Sequence, residues 1–88
     1  MHIPVIILHP EDDVAIALQD LPGGTEIEPK LMTAADVEAG HKIARQRISR
    51  GAYIHRYNQI IGVASRDIDA GEHIHSHNLD MAEFARDY

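Results

Sequence analysis

The sequence predicts a mainly β domain of short strands and tight turns, and three observations lead to that prediction. The 88 residues are 44% hydrophobic but only 5% aromatic, so the core must consist of Ile, Val, Leu and Ala, a composition that suits short strands. Short apolar runs alternate with segments rich in Gly, Pro and Asp. A seven-residue pattern with a central glycine occurs four times. A chain of this length forms a single domain.

The repeated pattern reads apolar-x-x-Gly-x-x-Ile and describes a turn between two short strands. An apolar anchor ends one extended segment, and a polar pair leads to a glycine that can adopt positive φ. The copies are LPGGTEI (21–27), VEAGHKI (37–43), ISRGAYI (48–54) and IDAGEHI (68–74). We expect the four glycines at turns (Gly24, Gly40, Gly51, Gly71) and the four final isoleucines in the core (Ile27, Ile43, Ile54, Ile74).

The remaining elements follow from the apolar runs between these turns. Strands are predicted over residues 4–8, 14–18, 42–44, 53–55 and 60–64. Pro10 and the acidic residues of HPEDD (9–13) favour a turn. The stretch MTAADVEAG (32–40) has the caps of one helical turn, but the repeat makes Val37 a turn anchor instead. Apolar residues at near-helical spacing predict a short helix in 79–88 that needs a surface to pack on.

Composition and charge exclude several classes of protein. The chain has no Cys, which excludes a disulfide framework, a thiolate nucleophile and a Cys-based zinc site. The first apolar run is too short for a signal peptide or a membrane span. The formal net charge is −6 and the basic residues are scattered, which argues against binding nucleic acid. We therefore expect a cytoplasmic protein that binds neither nucleic acid nor membrane.

Histidines form the most prominent chemical pattern. Seven occur in the chain, and GEHIHSHN (71–78) carries His73, His75 and His77 at every second position. If Ile74 faces the core, strand alternation turns all three away from it. Neighbouring histidines are then ~6.5–7 Å apart and can share one metal ion, whereas His73 and His77 are ~13 Å apart. Such a pair needs a third ligand from elsewhere, and an exposed polar edge without metal is the alternative.

Other candidates are weaker when taken singly. His41 and Lys42 follow the second turn glycine, where they could bind a carboxylate or move a proton, although a solvated turn is the commoner meaning. The acidic run at 11–13 could ligate a hard cation, but turn formation is the preferred interpretation. His55 and Tyr57 would share one strand face as an ordinary surface pair. The sequence contains neither a Gly-rich phosphate loop nor a nucleophile elbow.

Four stretches in this order resemble the SAF domain, a small β-clip module at the N-terminus of altronate/galactarate dehydratases. They are HPEDDVAIALQDLPGGTEI (9–27), GHKIA (40–44), YIHRYNQIIGVASRDI (53–68) and AGEHIHSHNL (70–79). The family usually has Gly where this chain has Asn58, and Asn is common where it has Asp13. Asn tolerates positive φ, so the first departure leaves the expected fold unchanged.

The resemblance implies part of a hydro-lyase that removes water from altronate, galactarate or a related hydroxy acid with iron or manganese. In that family the module precedes a larger catalytic domain or works as a separate small subunit, as in a sulfolactate-cleaving lyase. Residues 1–79 would then be the SAF domain and 80–88 a tail or the start of a linker. The isolated chain would be inactive.

The family motifs also suggest site residues. The motif His-x-His-Asn falls on His75, His77 and Asn78, and Gly-His-Lys falls on 40–42. These matches suggest His75 and His77 as metal ligands, His41 and Lys42 as substrate-binding residues, and Asn78 as an accompanying residue. No catalytic residue is assigned.

Two other functions stay open. One is a docking module that takes no part in chemistry, and the other is a free-standing metal carrier, which predicts tight metal binding by the 88 residues alone. The expected partners are a larger catalytic domain or subunit and a sugar acid, with homo-oligomerisation left open.

Overall fold

The computed structural model describes residues 4–81 and shows an all-β domain, which confirms the predicted fold class. Within these residues, nine short strands form three antiparallel sheets. They are β1 (Val5–Ile6), β2 (Val14–Ala17), β3 (Glu26–Glu28), β4 (Leu31–Met32), β5 (Lys42–Ala44), β6 (Tyr53–Arg56), β7 (Gln59–Ala64), β8 (His73–Ile74) and β9 (Leu79–Asp80). Residues 4–81 contain no helix that could cross a membrane. Leu79 and Asp80 are strand rather than helix, and the rest of the expected terminal helix, from residue 82, lies outside the described residues.

The four-stranded sheet, in the order β1-β2-β5-β8, has an apolar core on each face. Ile43 pairs with His73, and Lys42 pairs with Ile74 in the antiparallel ladder between β5 and β8. Because directly opposed residues share a face, Ile43 and His73 lie on one face, and Lys42 and Ile74 lie on the other. The core on the Ile74 face contains Val14, Ala44, Ile48, Ile54, Ala64, Ile68 and Ile74. The core on the Ile43 face contains Ala17, Leu21, Ile27, Val37 and Ile43.

The four isoleucines that end the repeats are each at most 1% exposed, which confirms their predicted burial. Their side chains do not converge on one core. Ile54 and Ile74 belong to the first core, whereas Ile27 and Ile43 belong to the second. The central sheet therefore lies between two small cores instead of covering one.

The four repeat glycines occupy the turn positions that the sequence predicts. Gly24, Gly40, Gly51 and Gly71 have φ between +84° and +91°, the region that a type II turn requires at its third residue. In each turn the residue after glycine donates its N–H to the carbonyl three residues earlier, as in the 3.1 Å bond from His41 to Glu38. The conformation explains why a residue without a Cβ occurs there in every copy.

The four copies of the repeat associate in two pairs. Leu21 and Val37 exchange two backbone hydrogen bonds of 2.8 Å, and Ile48 and Ile68 do the same. The turn glycine of each copy also forms a hydrogen bond to the copy with which it is paired. Its N–H donates to the carbonyl of the residue four positions before the apolar anchor of that paired copy. These bonds are Gly24 to Thr33, Gly40 to Ala17, Gly51 to Ala64 and Gly71 to Ala44, all 2.8 Å. Val37 is thus a turn anchor, as the repeat predicts, and not part of a helix.

The β6–β7 hairpin turns at two residues that both have positive φ, Tyr57 at 53° and Asn58 at 58°. The carboxylate of Asp12, only 4% exposed, accepts the backbone N–H groups of both residues at 2.7 and 2.9 Å. Burial alone would raise the pKa of Asp12, but these two N–H donors, together with the nearby His9, hold its pKa below the usual value. The acidic run also lies in a turn of its own, as predicted, since the Asp12 N–H donates to the His9 carbonyl at 3.0 Å.

A histidine cluster as a candidate metal centre

Two neighbouring strands bring three histidines together. His41 directly precedes β5, His73 lies in β8 and His75 directly follows β8. The β5–β8 register pairs Ile43 with His73, and continuing it outward places His41 opposite His75. All three side chains therefore extend from the same face of the sheet, the face opposite Ile74. They lie at the end of this face, beyond the core that contains Ile43.

The imidazole rings are in direct contact. Nδ1 of His41 lies 2.7 Å from Nε2 of His73, and the two ring centroids are 4.8 Å apart. The His75 ring is 5.2 Å from the His41 ring and 5.7 Å from the His73 ring, to which it is nearly parallel. One nitrogen of each ring lies within 4.8 Å of the other two. Three nitrogen donors thus converge on one small region of the surface.

His77 approaches the cluster because the strand ends earlier than expected. Strand β8 stops at Ile74, and the chain turns so that His75 C=O accepts the N–H groups of Asn78 and Leu79 at 3.0 and 2.9 Å. The His77 ring therefore lies 5.5 Å from the His73 ring. The separation of ~13 Å that a regular strand predicts between His73 and His77 is therefore wrong, because a turn replaces the strand after Ile74.

Asn78, which the sequence groups with His75 and His77, lies in the interior of the domain and not on its surface. Its side chain is fully buried, with 0% exposure. Oδ1 accepts the backbone N–H of His75, and Nδ2 donates to the carbonyl of His73, both at 2.9 Å. Asn78 therefore fixes the backbone that carries two of the histidines, and its amide is engaged by these two backbone groups.

Exposure differs among the clustered histidines. His75 and His77 are exposed, as their outward orientation predicts, whereas His41 and His73 are half-buried. Burial lowers the pKa of His73, and the neighbouring rings of His41, His77 and His75 lower it further, against a smaller opposing effect of Glu38. A lowered pKa favours the neutral form of the His73 ring, which is the form of imidazole that binds metal ions.

Lys42 does not join this cluster. It lies in β5 opposite Ile16 on one side and Ile74 on the other, so its side chain leaves from the face opposite His41. The Gly-His-Lys motif thus divides its two polar residues between the faces of the sheet. The structure brings His41 to His75 and separates both from Lys42.

A separate histidine is held by the acidic run. Asp13 Oδ2 lies 2.8 Å from Nδ1 of His55 and also accepts the His55 backbone N–H at 2.8 Å, while Gln46 donates to Oδ1 at 3.0 Å. Within residues 4–81, the group of His41, His73 and His75 is the one set of three metal-ligating side chains that converge. Asp13 orients a lone imidazole and does not contribute to that group.

The fold and the site together define a small all-β module made of paired glycine turns, with a cluster of imidazoles at the end of its central sheet. Residues 3–82 match the altronate/galactarate dehydratase SAF domain, and the chain belongs to this family. The resemblance seen in the sequence is therefore confirmed.

Three relatives illustrate the relationship. The chain is 45% identical over 76 residues to altronate dehydratase of Escherichia coli (strain K12) and 41% identical over 76 residues to altronate dehydratase of Bacillus subtilis (strain 168). Each alignment covers 83% of this chain but only 15% of the relative. The chain is also 35% identical over 49 residues to (2R)-sulfolactate sulfo-lyase subunit alpha of Paracoccus pantotrophus, covering 56% of this chain and 73% of that subunit.

Proposed function

We propose that this domain is the accessory module of a sugar-acid hydro-lyase of the altronate/galactarate type and contributes histidines to a metal-dependent site that a larger catalytic domain or subunit completes. The observation that carries this proposal is the convergence of His41, His73 and His75 at an open edge of the domain. Family membership supports it. Since the chain spans about 15% of the length of the altronate dehydratases, the larger part of such an enzyme lies outside it.

The chemistry of dehydration explains the use of such a cluster. A proton next to a carboxylate is removed, and the hydroxyl on the neighbouring carbon leaves after it accepts a proton. A divalent ion, iron or manganese, would supply Lewis acidity to the substrate oxygens when bound. His41, His73 and His75 are the residues that would hold it. His77, exposed and 5.5 Å from the His73 ring, is placed to carry a proton beside them.

The open position of the cluster explains why a partner is part of the proposal. His75 and His77 are exposed, so a substrate bound to them is in contact with water until a second surface covers it. We expect the isolated chain to be inactive for this reason. Residues 1–79 form the module in this proposal, 80–88 lead toward the catalytic domain, and the enzyme is cytoplasmic.

A second candidate is the small subunit of a sulfolactate-type lyase. The alignment with subunit alpha of the Paracoccus pantotrophus enzyme covers 73% of that short protein, which supports an arrangement in which the module is a separate chain. Loss of sulfite from C3 of sulfolactate requires removal of the proton on C2, next to the carboxylate, as loss of water from a sugar acid does. The two candidates differ in leaving group and in whether the module is covalently joined to its partner.

Activity of the complete enzyme tests both candidates. The module with its catalytic domain or subunit is incubated with altronate, galactarate or (2R)-sulfolactate in the presence of Fe²⁺ or Mn²⁺, and loss of water or of the sulfo group is followed. We expect turnover of one of these acids and a loss of at least ~100-fold in the His75→Ala/His77→Ala variant. Equal activity of variant and wild type would remove His75 and His77 from the chemistry and favour a docking module.

A further inference from the structure

We propose that residues 81–88 dock as a short amphipathic helix on the outer face of the sheet that β6, β7 and β9 form. The docking rests on an apolar sheet face, on the sequence of the segment and on the place where β9 ends. It does not depend on the proposed function.

The three-stranded sheet packs one of its faces on the core that contains Ile54 and Ala64. Strand alternation puts their neighbours Tyr53 and Val63, which pair directly with each other, on the outer face. Asp80 of β9 pairs with Val63 and shares that face. Tyr53 is 52% exposed, and Val63 is half-buried. An aromatic and a β-branched side chain thus lie side by side on the outside of this sheet.

The apolar surface continues along β7. His55 lies two residues after Tyr53 and therefore on the same face, and the half-buried Ile60 pairs with His55. Ile60 and Val63 belong to neither of the two cores. An antiparallel sheet with one face on the core usually keeps polar residues on the other face, which is turned to water. The positions of Ile60 and Val63 therefore indicate that a further segment covers this face.

The segment that follows β9 has the sequence pattern of an amphipathic helix. Its apolar residues have the i, i+3, i+4 and i+7 spacing of one helix face, and they are Met81, Phe84, Ala85 and Tyr88. Asp80 is a favourable N-cap, and Glu83 stands at the third helical position, where an acidic side chain completes the cap. An N-cap residue has extended backbone, which Asp80 has as the last residue of β9.

Such a helix requires a surface. A helix of eight residues is marginal in water unless its apolar side packs against another part of the protein. Met81, the first residue of the apolar stripe, is 54% exposed. The outer face of the three-stranded sheet offers apolar side chains next to the strand from which the segment continues.

The dimensions of the segment and of the sheet agree. β9 is the edge strand beside β7, and Asp80, at its end, shares the outer face with Val63. Three strands span ~10 Å across the sheet, and a helix of eight residues is ~12 Å long. The helix can therefore cross from β9 to β6, with Phe84 over β7 and Tyr88 near β6.

Another exposed apolar surface fits the segment less well. Ile6 in β1 is 43% exposed, and Leu18, directly after β2, is 54% exposed. β1 is the edge of the central sheet farthest from β8, whereas the segment begins in the other sheet, beside β7. In the proposed enzyme, docking on the three-stranded sheet fixes the path by which the chain leaves the module. This consequence, unlike the docking itself, rests on the proposed function.

NMR spectroscopy of the 88-residue chain tests the proposal, and the single phenylalanine of the chain makes the signal unambiguous. We expect nuclear Overhauser contacts between the Phe84 ring and the methyl groups of Val63. Phe84→Leu keeps an apolar side chain but removes the ring, so it should abolish the ring-induced shift of the Val63 methyl resonances. Samples that mix labelled and unlabelled chains separate contacts within one chain from contacts between copies.

Hydrogen exchange provides a second readout. The Ser65 N–H donates to the Asn78 carbonyl at 2.9 Å and so joins the end of β7 to the start of β9. In Phe84→Ala we expect this amide to exchange at least ~10-fold faster, because the sheet edge opens more often without the helix across it. Arg86→Ala, on the opposite side of the same helix, is the matched control and should change the exchange rate by less than ~2-fold.

Four results would overturn the proposal. They are the absence of contacts between the Phe84 ring and Val63, contacts of this ring with Ile6 or Leu18 instead, contacts that occur only between copies, and equal exchange of the Ser65 amide in Phe84→Ala and Arg86→Ala. Each leaves the proposed function standing, because the histidine cluster does not involve this segment. An enzyme without activity on a sugar acid, in turn, leaves the docking standing.

Discussion

Asn78 connects the two strand-end histidines, because its buried amide accepts the N–H of His75 and donates to the carbonyl of His73. Asn78 belongs to the His-x-His-Asn motif in the sequence, but in the structure its side chain binds the backbone of His73 and His75. The consequence is a short turn that holds His73 and His75 in a fixed relation while their imidazoles remain accessible.

Replacement of Asn78 should destabilise the domain and weaken metal binding together. In Asn78→Ala the His75 N–H and the His73 carbonyl lose their partners, and we expect a loss of about 2–4 kcal/mol in the free energy of unfolding. Urea titration measures it. Ser76→Ala, at an exposed position of the same turn, is the control and should change stability by less than ~0.5 kcal/mol. Equal stability of the two variants would show that the Asn78 amide does not fix the turn.

Gly71 and Gly51 have the same type of turn but different surroundings, which makes them a matched pair. Gly51→Ala introduces a Cβ at φ +86° with nothing within 4 Å, so only conformational strain of about 1–2 kcal/mol is expected. Gly71→Ala, at φ +91°, has the same strain, and its Cβ would also overlap the carbonyl oxygen of Met32. Thermal unfolding should show a clearly larger loss for Gly71→Ala. Similar losses would mean that the 32–34 segment moves aside without cost.

The carboxylate of Asp12 makes part of the stability pH-dependent. Burial raises the pKa of this carboxyl, but the N–H donors of Asn58 and Tyr57 and the nearby His9 together hold it below the usual 3.8 in the folded domain. Because the pKa is lowered in the folded state, the ionised Asp12 carboxylate stabilises the fold fully above about pH 4. This stabilisation is lost as the pH falls through the pKa of Asp12 in the folded domain. Urea unfolding of the wild type and Asp12→Asn should therefore differ most near neutral pH, and the difference should shrink below about pH 3.8.

The exposed Asp80→Asn replacement, which removes a different carboxylate, is the control for that series. A difference between wild type and Asp12→Asn that stays constant down to pH 2 would contradict the assignment to the Asp12 carboxylate.

Local patterns in the sequence were sufficient to predict the glycine turns and the core isoleucines. Glycine at positive φ and isoleucine three residues later are short-range features, and Gly40 with Ile43 illustrates how one repeat predicts both. The predicted strands 42–44, 53–55 and 60–64 agree with β5, β6 and β7 to within one residue at each end. The hairpin of β3 and β4 was not predicted, because its turn has Lys30 at φ 65° and lacks the glycine that would indicate it.

The third ligand of the candidate site depends on long-range pairing. His41 meets His75 only because β5 pairs with β8 in one register, and the sequence does not show which strands pair. The end of β8 at Ile74, which brings His77 back to His73, depends in turn on the buried Asn78 amide. A signal was present, since His41 and His73 lie one and two residues after the glycines of two equivalent repeats. The apolar anchors of those repeats bridge to other copies, however, and the repeat alone does not show that their final strands pair.

The central claim is that the histidines of this domain hold the metal of a larger enzyme, and anomalous diffraction at the iron edge from the iron-loaded complete enzyme tests it most directly. The account predicts an iron peak ~2.0–2.2 Å from one nitrogen each of His41, His73 and His75, with the catalytic domain covering the opposite side. An iron peak more than ~8 Å from all three rings, well beyond a coordinating bond, would contradict it.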